Sequence, residues 1–530
     1  MTHPSDQAGA SVPGPHRGVL TVALAVVFLG AVDLTVVATI LPSLITDLGL
    51  NSADVDRHIW VVNAYLIAYL VSIPIVGKIS DRIGRIVTLQ ASLAVFAIGS
   101  VMCATADGFA VLVAARVVQG AGGGALLPTT MALVGDVVPR ARRQAALGLV
   151  AAADTIGWAI GPIWGAVAVA LPLGGDQAWR LAFWANVPLA AVGMVGLART
   201  GRGVPRIGGD RSRLDVVGLI LLAVALTLGT MTLSSGGELG GTATSGTRAF
   251  GGSTNPLAGY LVPLGLGALA VLIVLVWWER RTAAPIMPAS LIAAPAFRGS
   301  LAANFLVGIT LIVAMVNVPV VVALTVASDR VSTLSASLLV PYTGAMTVMA
   351  WLGGRMAARW GDRRTGIAGL CLAALGYAAA WSLLDGDRLA LVSPALLVAG
   401  AGFGMVIAPI GSSALAVIPG AVRGLGAGLL MVARLLGMTI GISVLTSFGV
   451  QRLQQLTGDL EPISPGPGET TGQFLVRQQR YIEDVAIPLG VRVVEETFLI
   501  AAVLTLAAVI PVAMMGRQGM GEDGAPMLRE

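Results

Sequence analysis

Residues Gly77–Arg85 read GKISDRIGR, one acid and three bases closed off by glycines. They stand between two apolar runs, at about 57–77 and 86–106. Each run, as a helix rising about 1.5 Å per residue, crosses the roughly 30 Å of bilayer hydrocarbon. A charged loop this short makes the two runs antiparallel neighbours and puts its charges at their inner ends.

The same spacing recurs along the whole chain. Further runs lie at about 18–45, 108–131, 142–171 and 179–199, then 214–234 and 258–279. Six more follow at 297–327, 334–358, 366–385, 388–416, 423–456 and 476–516. The pattern is six, two, six. Of the 530 residues, 56% are hydrophobic and 12% charged, against about 25% charged in a soluble domain. In lipid each run must satisfy its own backbone hydrogen bonds, so helix is the default. The short alternating segments of a membrane β-barrel are not seen. The fold class expected is an all-α polytopic membrane protein.

The net charge of +5 suggests a nucleic-acid partner until the bases are placed. The spans put 22 of the 33 basic residues on one face and 9 on the other, with Arg116 and Arg434 inside spans. The rich face is cytoplasmic by the positive-inside rule, so both termini are inside. The chain then divides into a cytoplasmic tail (1–17), a six-helix bundle (18–199), a linker with two additional helices (200–296), a second bundle (297–516) and a second tail (517–530). The first run is too long for a signal peptide and lacks a small-residue cleavage site. Cys103 and Cys371 sit in separate spans, which disfavours a disulfide or a zinc site. His3, His16 and His58 lie in the tail or an outer loop, so the spans hold no histidine for an enzyme site. No cofactor, metal or catalytic residue is expected. Lys78 is the only lysine.

The halves repeat. Segment 354–362, GRMAARWGD, aligns with Gly77–Arg85: Gly77 with Gly354, Arg82 with Arg359, Gly84 with Gly361. Ala358 replaces Asp81, so a symmetric pair of charged loops is in doubt. At an offset of 280, Arg143 meets Arg423, Gly148 meets Gly428, Gly157 meets Gly437 and Gly161 meets Gly441. Duplicated six-helix halves leave such traces. In this register Asp154 falls opposite Arg434.

Four ionisable residues lie inside spans: Asp33, Arg116, Asp154 and Arg434. Each costs about 2.5–3.5 kcal/mol at a helix centre. Such residues face a cavity or a partner, and the four are candidates for proton coupling in a central cavity. Burial favours a neutral carboxyl and a nearby arginine favours the charged one; that opposition permits a proton switch if helices move. Arg423, at the inner end of its helix, is a second-tier candidate. Gly77, Asp81, Arg82, Gly84 and Arg85 form an inner-gate loop, in which Asp81 can pair with an arginine or accept from a helix N-terminus. Gly157, Gly161 and Gly165 recur at every fourth position, a smooth face for close helix approach, and Pro162 bends the helix.

The last two runs are too long for one crossing. SFGVQRLQQL and FLVRQQRYIEDVAIPLGVRVVEE are amphipathic, and in the second Leu475, Ile482, Val485, Leu489 and Val493 share a helical face. They are expected to continue past the outer surface as a paired extension over about 445–495, joined by EPISPGPGETTG, with a kink at Pro488; the alternative is two short interfacial helices lying flat on the membrane.

Together these segments resemble the major facilitator superfamily. GKISDRIGR is similar to its loop between the second and third helices, RVVQGAGGGA to its fourth-helix motif, and DTIGWAIGPIWGA to the fifth-helix motif of antiporters. VDLTVVATILP and WRLAFWANVP resemble pieces of the fourteen-helix drug:proton antiporter branch. The resemblance implies two six-helix bundles plus two central helices. It also implies that Asp33, Arg116 and Asp154 line the path or its coupling apparatus, and that Asp81, Arg82 and Arg85 gate the inner side. The long outer extensions are similar to those of mycobacterial triacylglycerol and drug exporters that work with a periplasmic lipoprotein. The expected activity is therefore export of a lipid, triacylglycerol, or of lipophilic compounds across the bacterial inner membrane by proton-coupled alternating access. The alternative is a multidrug:proton antiporter for amphiphilic cations. The partners implied are the lipid cargo, protons, the bilayer and a lipoprotein.

Overall fold

In the computed structural model the described residues are 14–48, 60–171, 177–204, 215–236, 260–282, 285–286, 289–326, 330–384, 389–457 and 470–515. The outer tract around 235–256, most of EPISPGPGETTG and the end tails fall outside them.

The apolar runs are helices. The first six are α1 (Gly14–Asp47), α2 (Trp60–Ile83), α3 (Arg85–Ala104), α4 (Phe109–Val137), α5 (Arg140–Ala170) and α6 (Arg180–Thr200). Two more follow, α7 (Val216–Gly236) and α8 (Leu261–Glu279). The last six are α9 (Pro295–Thr325), α10 (Val331–Trp360), α11 (Asp362–Leu383), α12 (Leu389–Val417), α13 (Arg423–Thr457) and α14 (Thr471–Val512). This is the six, two, six order.

The repeat is visible in the packing. In the first bundle α1 packs on α5 and α6, while α4 packs on α2 and α3; in the second, α9 packs on α13 and α14, and α12 on α10 and α11. Gly84 and Gly361 end α2 and α10 with φ of 97° and 84°. This left-handed backbone favours glycine and turns each chain into the next helix.

Glycines also set the closest helix approaches. Gly157, Gly161 and Gly165 of α5 lie against the backbone of α1 at Phe28, Val32 and Val36; Gly437 and Gly441 of α13 lie against Phe305 and Ile309 of α9. Pro162 has no N–H to give the carbonyl of Trp158, and the Thr35 hydroxyl of α1 donates to that carbonyl at 3.3 Å instead.

The extra pair, α7 and α8, packs on one side. Leu219 of α7 and Ile286 cluster with Leu425, beside Ile75 and Leu429, so this pair covers the seam between α2 and α13. Trp278 at the end of α8 donates to Asp215 at 2.9 Å, tying the pair together. The rest of α8 is largely exposed, as a helix facing lipid is.

At 35 residues, α13 is about 52 Å long at 1.5 Å per residue, more than one bilayer crossing needs. It pairs with α14 through Arg452, which donates to Glu496 at 2.8 and 3.0 Å, and through Gly449 beside Val493. Before Pro488 the helix widens into a π-turn, Ile482–Ala486, and then continues. The expected shared face is only partly used. Val493 is buried, but Leu475 and Ile482 are exposed, and Thr471–Tyr481 has no buried residue. Pairing reaches as far as Arg452, and α14 stands beyond it.

Candidate functional site

Three groups of charged residues run from the core of the first bundle to the arginine-rich end of the helices. The first surrounds Asp33 on α1. Arg116 (α4) approaches Asp33 at 3.3 Å, Gln119 donates to it at 2.8 Å, and Asn186 (α6) donates at 2.6 Å. Arg116 also donates to Gln119 at 2.6 Å and to the Val61 carbonyl at 3.2 Å, with its guanidinium 3.9 Å from the Tyr65 ring. Asp33 and Arg116 are 1% and 0% exposed. A buried ion pair survives only when its remaining lone pairs and protons are also satisfied, and Gln119 and Asn186 do this for the carboxylate. The pair therefore sits inside the first bundle and does not line the cavity between bundles.

That cavity belongs to Asp154 and Arg434. It is about 30 Å³, with walls from both bundles: Leu34, Tyr69, Leu127 and Trp158 on one side, Leu311, Met346, Ile407, Met431 and Met438 on the other. The repeat register puts Asp154 and Arg434 at equivalent depths, and here they face one cavity and interact electrostatically. Among the described residues Asp154 forms no direct ion pair. Arg434 is steadied by Asn304, whose side-chain oxygen accepts from it at 3.1 Å, while the Asn304 amide donates to the Leu430 carbonyl at 2.5 Å. Arg434 is thus aimed, and Asp154 is the less constrained partner.

The third group closes the arginine-rich side. Asp81, at the inner end of α2, accepts from the backbone N–H of Gly424 at 2.7 Å and of Leu425 at 3.1 Å. These are orphan donors in the first turn of α13, so one bundle caps a helix of the other. Arg85 would be disfavoured at the N-terminus of α3 by the helix dipole. It is held there by two carboxylates, Asp81 at 2.6 Å and Asp136 at 2.9 Å. Arg423 crosses from α13 to Asp136 and to the Gly135 carbonyl. Below the clasp, Gly77 abuts the backbone of Gly424. The mirror contact, Gly354 of α10 on Gln144 of α5, has the glycine approach but not the acid, since Ala358 stands at the place of Asp81.

Arg82 is exposed and makes no ion pair among the described residues, so the clasp uses Asp81 and Arg85 and leaves Arg82 out. Three residues of these groups were not singled out from sequence. Gln119 follows Arg116 by three residues, on the same helix face, which is a signal. Asn186 is a lone amide in an apolar span. Asp136 carries no local signal, because its partners are Arg85 and Arg423.

A bilayer-length set of paired bundles, closed on one side by a charged clasp and holding a small cavity, is the architecture of an alternating-access transporter. The chain belongs to the major facilitator superfamily: the model for that family matches residues 23–442. Among curated relatives, the triacylglyceride transporter of Mycolicibacterium hassiacum is 34% identical over 512 residues, covering 94% of this chain and 92% of that protein. The triacylglyceride transporter of Mycobacterium tuberculosis strain H37Rv is 33% identical over 516 residues, covering 94% of each. Among solved structures, the human organic anion transporter MFSD10 superposes with a TM-score of 0.60 at 16% identity, over 94% of this chain and 99% of that one. The proton:xylose symporter XylE gives 0.57 at 15% identity, over 93% and 95%. At these identities the two structures show the shared fold alone.

Proposed function

We propose that this protein exports triacylglycerol across the plasma membrane by alternating access, with both termini in the cytoplasm. The observation that carries the cargo is the cavity lining, in which leucine, isoleucine and methionine, with Tyr69, Thr155 and Trp158, surround a single acid–arginine couple. An apolar wall recognises acyl chains by burial and offers few polar groups to orient anything else. The names of the mycobacterial relatives, aligned along 94% of the chain, support the same cargo.

At about 30 Å³ the cavity holds roughly one water molecule and no lipid. In this conformation the cavity is closed down and the clasp side is shut. Loading requires the Asp81 and Asp136 contacts to break and the bundles to part on the inner side. Asp154 and Arg434 couple this motion to protons: a proton on Asp154 removes its attraction to Arg434 and frees the two bundles to separate. Asp33 and Arg116 are a second coupling element within the first bundle. The extended ends of α13 and α14 pass the lipid to a lipoprotein on the outer side.

The test is purified protein in liposomes loaded with labelled triacylglycerol and an imposed proton gradient. Gradient-dependent removal of lipid to a soluble lipid-binding lipoprotein, lost in Asp154→Asn, is the expected result. Proton flux driven by a cationic drug, with no lipid movement, would make the protein a drug antiporter and overturn the cargo.

A further inference from the structure

Arg82 and Lys78 are the two charges of the GKISDRIGR loop that the clasp does not use. Neither forms an ion pair or hydrogen bond among the described residues, and Arg82 is exposed. On a helix of 3.6 residues per turn both fall on the face of α2 that carries Ala68, Val71, Ile75 and Ile79. That face is the floor of a bilayer-facing groove of about 740 Å³, walled by α3, α4 and the outer half of α7. The groove runs from Ile83 at the inner end of α2 to Trp60 at its outer end. Three of its hydroxyls are committed: Ser72 donates to the Tyr69 carbonyl, Thr88 to the Gly84 carbonyl and Thr227 to the Ala223 carbonyl. What remains is a largely apolar channel whose lining ends at Ile79 and Ile83, next in the chain to Lys78 and Arg82.

We propose that this groove holds an anionic phospholipid of the inner leaflet, its phosphate on Arg82 and Lys78 and an acyl chain along α2 toward Met231 of α7. The complementarity is specific in sign: a phosphate satisfies both cations, and the apolar wall takes a chain. The bound lipid is not cargo, because the groove lies outside the bundles and does not open into the cavity at Asp154. It bridges the inner end of α2 and the extra helix α7, two elements packed beside the α13 seam that the Asp81 clasp closes.

The experiment is native mass spectrometry of the detergent-purified full chain titrated with phosphatidylglycerol or phosphatidylcholine. The expected result is one phosphatidylglycerol retained in preference to phosphatidylcholine. Two basic residues at a membrane surface are each worth about fivefold, so Lys78→Gln with Arg82→Gln should weaken that retention about 25-fold. Ala68→Trp, which fills the groove and leaves the charge intact, should also displace the lipid. Equal retention of both lipids by the unmodified protein, or unchanged retention in the charge variant, overturns the site and leaves ordinary annular lipid. Circular dichroism of each variant separates loss of lipid from loss of fold.

Discussion

Gly354 rests on the carbonyl of Gln144 as Gly77 rests on that of Gly424: a methyl group built on either glycine would stand 2.5 or 2.7 Å from that oxygen. The two contacts are related by the internal repeat, and together they close both seams between the bundles on the inner side. Only the Gly77 seam is reinforced by a carboxylate.

Substituting either glycine by alanine should hold the inner side open. Overpacking a tight contact costs about 1–3 kcal/mol, a 5- to 150-fold shift toward the open state. A cysteine introduced at Met131, which packs against Gly411 of the other bundle, reports the change. With Cys103 and Cys371 replaced, its labelling from the inner side should accelerate in Gly77→Ala and Gly354→Ala. An unchanged rate means that these glycines do not set the closed state.

Asp81→Ala should open the same side by another route. The carboxylate accepts two backbone N–H groups and pairs with Arg85, and hydrogen bonds to a charged group contribute about 1.5–3 kcal/mol. The Met131 cysteine should again label faster. Arg82→Ala should leave its rate unaltered, since Arg82 is outside the clasp.

Removing one partner of the Asp33–Arg116 pair should be costly. Asp33→Asn leaves a fully buried guanidinium unpaired, at about 3–5 kcal/mol, and should lower the melting temperature and abolish export. The double change Asp33→Leu with Arg116→Met removes both charges and should recover most of the stability but none of the export. Recovery of export in the double variant assigns the pair a purely structural role.

The extension should behave as two helices joined at one level. Cysteines at Gly449 and Val493 should crosslink, because a Cβ added at Gly449 stands 3.6 Å from the Val493 side chain; cysteines at Arg452 and Arg480 should not. Arg452→Glu is expected to reduce delivery to a lipoprotein, and adding Glu496→Arg to restore it. The stability effect should be small, because the pair is partly exposed and screened by solvent. Delivery that ignores the charge reversal argues that this pairing does not guide the lipid.

Helix number, helix ends and the duplication were legible in the chain because their causes are local. An apolar run must form a helix in lipid, and the aligned pair Gly84 and Gly361 marks the same helix end in each half. The extension of α13 was legible from length alone, whereas how far α14 stays paired was not, since Leu475 and Ile482 show the right period and yet face outward.

The site divided in the same way. Composition and spacing by themselves determined a transporter-like bundle with charges at Asp33, Arg116, Asp154 and Arg434, because each charge is conspicuous in an apolar span. Only the tertiary structure decided which of them meet. It put Asp33 and Arg116 into the first bundle with Gln119 and Asn186, set Asp154 across a cavity from Arg434, and brought Asp136 to Arg423. It also left Arg82 exposed and outside the clasp. The physical reason is that burial in lipid is settled residue by residue, while the partner of a buried charge depends on how helices rotate and approach, and glycine contacts more than a hundred residues apart set that geometry.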